Sequence, residues 1–95
     1  MTLNDLRAQR EAILAIARRY GARNLRVFGS VVRADARAAS DVDLLVELEP
    51  GRSVMDLGGL LMDLQDHLHC KVDVMTPVML KPRIRERVLR EATPL

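Results

Sequence analysis

The residues best suited to chemistry are aspartates on two segments that alternate polar and apolar side chains. Asp41 and Asp43 flank Val42 at the start of the segment 42–48, and side chains two residues apart on a strand point to the same face. The two carboxylates should therefore lie side by side, with Cα atoms about 6–7 Å apart, and repel each other. A divalent cation would relieve that repulsion, and magnesium is the usual cation where oxygen ligands meet phosphates.

Asp73 supplies a third carboxylate, on the alternating segment 71–75. If this segment is a strand next to that of 42–48, all three aspartates converge on one face of a sheet. Three carboxylates can hold two metal ions, which activate an attacking oxygen and stabilise a leaving pyrophosphate. Two other interpretations stay open. An Asp-x-Asp pair is often only a solvated strand end, and Asp73 could be plainly exposed or paired with Lys71 or Arg52.

A phosphate-binding turn is predicted at Gly29-Ser30, directly after the first strand. Glycine lets the backbone approach a ligand closely, Ser30 adds a hydroxyl, and successive amides can surround an anion. Arg33, one helical turn further on, can contact the same phosphates or instead pair with an acid such as Asp35 or Asp41. Amides around the phosphates, with metal-binding carboxylates opposite, would form a triphosphate site.

Caps, breakers and periodicity predict the elements that position these residues. Thr2 with Asp5 and Ser53 with Asp56 are typical of helix N-termini, and Gly21 is typical of a helix end. We predict a helix over 3–20, strands at 25–28, 42–48 and 71–75, one helical turn and then a loop within 31–40, and a helix over 82–91. The helix that begins after Ser53 carries an apolar stripe of Leu57, Leu60, Leu61, Leu64 and Leu68. The last helix should turn Ile84, Val88 and Leu89 inward.

This order predicts the fold class, an α/β (α+β) domain in which a small mixed β-sheet is flanked by helices. Ninety-five residues correspond to one domain, spanning 1–95. The lone Cys70 cannot form an internal disulfide, and neither a signal peptide nor an apolar run of membrane-spanning length is evident. We therefore expect a cytoplasmic protein with no membrane partner.

The charge and aromatic content argue against nucleic acid as a partner. The formal net charge is only +2, and the chain has one Phe, one Tyr and no Trp on which bases could stack. The C-terminal cations Lys81, Arg83, Arg85, Arg87 and Arg90 are interpreted as a solvated face, with an acidic partner or nucleic acid as the alternative. A zinc site at His67, His69 and Cys70 is disfavoured, because this spacing does not suit one face of a helix.

Two runs together carry a family resemblance. They are Gly29-Ser30-Val31-Val32-Arg33 and Ser40-Asp41-Val42-Asp43-Leu44-Leu45-Val46. They resemble the signature of the DNA polymerase β-type nucleotidyltransferase superfamily, in which glycine-serine and a loop precede an aspartate-x-aspartate pair. The chain is further similar to the MNT (minimal nucleotidyltransferase) antitoxins of HEPN/MNT toxin–antitoxin systems in having Arg33 after the glycine-serine, Ser40 before the first aspartate and a short length. The resemblance covers residues 3–95, although Ala34 stands where that family often has glycine, which bears on the shape of the loop.

The resemblance implies a polymerase β palm-like fold and a reaction. Gly29 and Ser30 would hold the triphosphate, Asp41 and Asp43 would bind two Mg²⁺ ions, and Asp73 would bind the catalytic ion and help to deprotonate the acceptor. The substrate would be a nucleoside triphosphate, with ATP expected. Some members adenylylate a tyrosine of their partner, a HEPN-domain toxin that is an RNase, and thereby act as antitoxins.

Two other functions stay open for the same signature. The domain could neutralise a HEPN RNase by binding alone, with no need for catalysis. It could also be a nucleotidyltransferase that acts on a small molecule or on RNA. A chain of this size has no room for a separate acceptor-recognition domain, which favours an acceptor presented by a partner protein.

Overall fold

The computed structural model of the protein describes residues 1–33 and 41–95, and the side chains of Ser30 and Arg33 lie outside this description. The helices are Leu3–Ala8 (α1), Arg10–Arg19 (α2), Ser30–Arg33 (α3), Val54–Leu68 (α4) and Pro82–Glu91 (α5). The strands are Ala22–Phe28 (β1), Val42–Leu48 (β2), Val72–Met75 (β3) and Thr93–Pro94 (β4). A 3-10 turn at Pro77–Met79 connects β3 to α5.

The described strands form one mixed sheet in the order β3-β2-β1-β4. β2 pairs antiparallel with β1 and parallel with β3, and β4 pairs antiparallel with β1. The central β2 is buried on both faces, with Val42, Leu44 and Val46 on one side and Leu45 on the other. The predicted fold class, a small mixed sheet flanked by helices, is confirmed.

A bulge in β1 decides which of its side chains reach the main core. Between Arg23 and Arg26, β1 advances three residues while β2 advances two, and Asn24 within this step has a φ of 53°. An extra residue reverses the alternation of side chains along a strand. As a result Val27 lies in the main core, whereas the adjacent Phe28 faces the other side of the sheet.

Helices α1, α2 and α4 cover one face of the sheet and enclose the main core. Both predicted N-terminal caps are present: Asp5 N–H donates to Thr2 Oγ1 at 3.1 Å, and Ser53 N–H donates to Asp56 Oδ2 at 2.9 Å. The predicted apolar stripe of α4 is buried at Leu57, Leu60, Leu64 and Leu68. Burial of each large apolar side chain contributes about 1.5–3 kcal/mol of transfer free energy, so this face is the main source of stability.

The prediction of one continuous helix over 3–20 was wrong, because the chain breaks at Gln9 between α1 and α2. The Gln9 amide bonds to Leu6 O at 2.9 Å, which is a tighter turn than that of an α-helix. The Gln9 side chain lies 2.9 Å from Nε2 of His67 on α4. This contact between distant parts of the chain has no local signal in the sequence. The contact also engages a ring nitrogen of His67, one of the two histidines considered as zinc ligands.

The other face of the sheet carries α5 and a smaller apolar cluster. This cluster consists of Phe28, Leu45, Leu80 and Val88. The expectation that Ile84 and Leu89 also face inward was wrong, since they are 41% and 39% exposed. α5 lies over only part of the sheet, so its first turns stand beside an open cavity rather than on packed side chains.

Two short C-terminal features tie this end of the chain to the rest. β4 was not predicted, because a two-residue strand has no periodicity to detect. Arg7 of α1 donates to Pro94 O at 3.0 Å, and the Leu95 amide donates to Leu25 O at 3.1 Å. No helix within residues 1–33 and 41–95 is long and apolar enough to cross a membrane.

Candidate active site

Asp43 on β2 and Asp73 on β3 lie directly opposite each other. The two strands are parallel neighbours, and Asp43 and Asp73 are Cα partners in their register. Since adjacent strands are about 4.8 Å apart, the two carboxylates project from the same face at close range. Both line a cavity of about 600 Å³ between the sheet and α5. The convergence of these two acids, which required neighbouring strands, is therefore present.

Gly29 brings the backbone after β1 against the Asp43 carboxylate. Its φ is +73°, a left-handed conformation that glycine adopts without the strain a Cβ would cause. A Cβ placed there would overlap Asp43 Oδ2 and lie 3.1 Å from Asp43 Cγ. The preceding Phe28 is the Cα partner of Asp43 on β2. The absence of a side chain at residue 29 thus lets the Asp43 carboxylate lie directly against the backbone.

Asp41 lies just before β2 and is exposed, outside the cavity lining. Its Oδ2 accepts the Lys71 amide at 3.2 Å, and its own amide donates to Lys71 O at 3.0 Å. These bonds join the starts of β2 and β3. In the described part of the chain, no group of three His, Cys, Asp or Glu side chains is placed to hold a metal ion. The role of Asp41 as a metal ligand stays a prediction.

The donor set nevertheless fits a hard divalent cation at the other two aspartates. Asp43 and Asp73 offer carboxylate oxygens, the ligands that Mg²⁺ prefers, beside a cavity with room for waters and substrate phosphates. Asp41 Oδ2 accepts the Lys71 amide, so Oδ1 is the oxygen of Asp41 that could join them without breaking that bond. The alternative ion pair between Asp73 and Arg52 is not formed, since Arg52 lies 3.3 Å from Asp56 and 3.9 Å from Glu49.

The two other predicted phosphate-binding residues are Ser30 and Arg33. They begin and end α3, so the backbone turns into a helix directly after Gly29. Their side chains lie outside the description, as do Ala34, Asp35 and Ser40 altogether. Phosphate contact by Ser30 and Arg33 stays a prediction.

Glu91, the last residue of α5, is a site residue that the sequence reasoning missed. Its Oε1 accepts the Gly29 amide at 2.8 Å. The amide expected to face a phosphate is thus bonded to a carboxylate of the same chain. The contact joins residues 62 positions apart, and no local pattern in the sequence signals it.

The basic C-terminal run is mostly exposed, as expected, but it does not form one face. Lys81, Arg83 and Arg87 line the cavity opposite Asp43 and Asp73. Arg85 instead donates to Pro77 O and Leu80 O, both at 2.9 Å, and Arg90 pairs with Glu86 at 3.1 Å. The available signal was the spacing of Arg83 and Arg87, which places them on one face of a helix. The apolar part of the lining includes Phe28, Met75, Met79, Leu80, Ile84 and Val88.

Cys70 lies beside this region but is not suited to nucleophilic chemistry. Burial and the negative charge of Asp41 raise the pKa of its thiol above the ordinary value. A raised pKa keeps the thiol protonated near neutral pH, and the thiolate is the reactive form.

Comparison with known proteins identifies the family of the chain. The family model described as nucleotidyltransferase domain matches residues 10–94. A protein of Methanocaldococcus jannaschii named "Putative protein adenylyltransferase" is 34% identical over 97% of this chain and 96% of its own length. A Thermococcus cleftensis protein named "Protein adenylyltransferase MntA" is 41% identical over 77% of this chain and 74% of its own length.

Solved structures show the same fold. A "Structure of putative minimal nucleotidyltransferase" superposes with a TM-score of 0.83 at 50% identity, covering 100% of this chain and 97% of the other. A "Crystal structure of the toxin-antitoxin with AMP-PNP" superposes with a TM-score of 0.70 at 17% identity, covering 88% of this chain and 69% of the other. At that identity the second likeness concerns the fold alone. The chain belongs to the nucleotidyltransferase domain family, among the minimal nucleotidyltransferases, and is an enzyme of that class.

Proposed function

We propose that this nucleotidyltransferase transfers the AMP group of ATP to a hydroxyl of a partner protein. The observation that carries the proposal is the pairing of Asp43 with Asp73 across parallel strands, next to the side-chain-free Gly29. Two acids and a close backbone turn, facing one cavity, suit a metal-bound triphosphate rather than a neutral ligand.

In the proposed reaction, the acceptor hydroxyl oxygen attacks the α-phosphorus of ATP. The bond from the α-phosphorus to the bridging oxygen breaks, and pyrophosphate leaves with the electron pair. Asp73, on the edge strand β3, would accept the hydroxyl proton, and Asp43 and Asp73 would hold a metal ion that offsets the charge of the reacting phosphate. Asp41 and Asp43 would hold the second ion, and Ser30 and Arg33 would contact the phosphates next to Gly29, whose own amide is bonded to Glu91.

Magnesium is the cation we assign to these carboxylates. When bound, it would neutralise charge on the triphosphate and increase the nucleophilicity of the acceptor oxygen. The assignment is supported by the all-oxygen donor set of Asp43 and Asp73. Asp41 would complete that set through its other carboxylate oxygen, since its Oδ2 accepts the Lys71 amide.

A protein acceptor is supported by the relatives, two of which are named protein adenylyltransferases. The chain matches nearly the full length of one of them, so that relative is a domain of about the same size. A structural neighbour at low identity is a toxin–antitoxin complex with AMP-PNP. We therefore propose a toxin as the partner, specifically a HEPN-domain toxin, and an antitoxin role for this chain.

The test is transfer of label from α-labelled ATP to the co-purified partner, with and without Mg²⁺. We expect Asp43→Asn and Asp73→Asn each to reduce transfer by at least about 100-fold, since each removes a ligand or base that acts in the transition state. Asp66→Asn is the matched control, because Asp66 is an exposed acid on α4 outside the cavity. It should transfer at the wild-type rate.

The two rival functions give different results in the same assay. If the Asp43→Asn variant still forms the complex and neutralises the partner as well as wild type, binding alone is the mechanism. If label goes to RNA or a small molecule and never to the partner, the acceptor assignment is wrong. If the Asp43→Asn variant transfers label at the wild-type rate, the aspartate pair is not part of the active site.

A further inference from the structure

The cavity that contains the two aspartates has a cationic wall, contributed by α5. Lys81, Arg83 and Arg87 line it from the side opposite β2 and β3. Arg83 and Arg87 are one helical turn apart, and Lys81 directly precedes the helix. All three residues are exposed, so their charged groups are free to reach into the cavity.

Arg85 and Arg90, the other two cations of the basic run, are held by contacts within the described part of the chain, whereas these three are not. Arg85 is held by two backbone carbonyls and Arg90 by Glu86. Across residues 1–33 and 41–95, the side chains of Lys81, Arg83 and Arg87 form no ion pair or hydrogen bond. Three like charges gathered at one cavity repel each other, and an anionic ligand would relieve this.

The position of the cations selects the part of the ligand that they meet. A metal ion on Asp43 and Asp73 would hold the reacting phosphate at the sheet. The remaining phosphates would extend away from the carboxylates, which repel them, and toward α5. We propose that Lys81, Arg83 and Arg87 bind the β- and γ-phosphates of the nucleotide and stabilise the leaving pyrophosphate. This inference rests on the proposed function.

Two anchors give the cationic wall a defined position relative to the acids. At the end of α5, Glu91 accepts the Gly29 amide at 2.8 Å, beside Asp43. Near its start, Arg85 bonds to the 3-10 turn that follows β3. α5 is therefore tied to the chain on either side of the two aspartates. Charged donors held this way bind phosphate more strongly than mobile surface lysines would.

An acidic partner segment or a nucleic acid could also attract these cations. Either ligand would have to enter a cavity whose other wall carries two carboxylates, which repel it unless metal is present. A metal-bound polyphosphate satisfies both walls at once, so the cavity favours it.

The test compares an Arg83→Gln/Arg87→Gln double variant with Arg90→Gln, a matched loss of an exposed arginine on the same helix. The probes are a non-hydrolysable ATP analogue with Mg²⁺ and inorganic tripolyphosphate as its competitor. Loss of a charge-assisted contact should weaken analogue binding by about tenfold for each arginine removed. Tripolyphosphate should compete well in wild type and Arg90→Gln, and poorly in the double variant.

Each contrary outcome identifies what failed. If the double variant binds both probes as tightly as the wild-type protein does, the inference is overturned and the proposed function is left intact. If that variant instead loses only the partner protein, or only an RNA oligonucleotide, the cations recognise that macromolecule rather than phosphates of the substrate. Failure of the wild-type protein to bind the analogue at all would overturn the proposed function together with the inference.

Discussion

At residue 29 a backbone conformation, a missing side chain and an amide hydrogen bond all serve one small region. The left-handed φ favours glycine, the Asp43 carboxylate occupies the space of a Cβ, and the amide is held by Glu91. Any side chain at this position would contact the Asp43 carboxylate. The conformational strain and the loss of space can be separated, because Gly51 is also left-handed, at φ +88°, and a Cβ there would meet nothing within 4 Å.

We expect Gly29→Ala and Gly51→Ala both to lower stability, Gly29→Ala somewhat more because of its contact with Asp43, and only Gly29→Ala to lower activity. Each forces alanine into a left-handed conformation, at a cost of about 1–2 kcal/mol. Only Gly29→Ala pushes on Asp43, so only it should lose most of the AMP-transfer activity. Urea denaturation gives the stabilities and the labelled-ATP assay gives the rates. Equal activity of the two variants would mean that Asp43 moves without consequence.

The site residues differ in how far the sequence could predict them. Asp43 and Asp73 could be predicted from the sequence, because the alternation of side chains along a strand shows which face each occupies. Their pairing required only that the two strands be neighbours. The positions of Glu91 and Arg87 in the site depend on where α5 lies across the sheet. Helical periodicity shows which side chains share a face but not what that face meets. Distant packing of this kind has no short-range signal.

The same distinction applies to whole elements. β2 and α5 have the boundaries predicted from sequence, because Pro50-Gly51 and Pro82 are local breakers. The strand Thr93–Pro94 was missed because it depends on pairing with the distant β1. The break at Gln9 was missed because no glycine or proline marks it. Elements that are bounded by their own residues were predictable, and those bounded by tertiary contacts were not.

Within α4, two adjacent glycines should respond in opposite ways to alanine. A Cβ on Gly58 meets nothing within 4 Å, whereas one on Gly59 overlaps the Tyr20 ring, with its Cδ1 and Cζ at 3.1 Å. Gly58→Ala should stabilise the protein by about 0.5–1 kcal/mol, the ordinary helix preference. Gly59→Ala has the same gain but displaces the ring, and overpacking costs about 1–3 kcal/mol, so a net loss is expected.

The Tyr20 ring cannot simply swing aside, because its hydroxyl donates to Asp63 at 2.6 Å. That bond is also the main reason why the pKa of Tyr20 is raised above its ordinary value. Thermal denaturation of the two alanine variants checks the prediction. In Gly59→Ala the phenol pKa should fall back toward its usual range if the bond breaks. Stabilisation by both substitutions would show that the ring accommodates the methyl group without losing Asp63.

The molecule as a whole is stabilised unequally on the two faces of its sheet. α1, α2 and α4 enclose the main core on one face, while α5 alone, with a much smaller apolar cluster, covers part of the other. The free energy of local opening follows the amount of buried apolar surface. The helix that carries the cationic wall is therefore expected to open more readily than α4.

Amide hydrogen exchange should show this difference directly. We expect faster exchange in α5 than in α4, and still faster exchange in α5 after Arg85→Ala, which removes the bonds to Pro77 O and Leu80 O. Arg90→Ala is the control, because Arg90 contacts only the exposed Glu86 on its own helix in the described structure. The ATP analogue with Mg²⁺ should slow exchange in α5 specifically, since the metal-bound nucleotide would contact both α5 and the sheet. Protection confined to α4, or a uniform change along the chain, would mean that α5 is not the element that closes on the nucleotide.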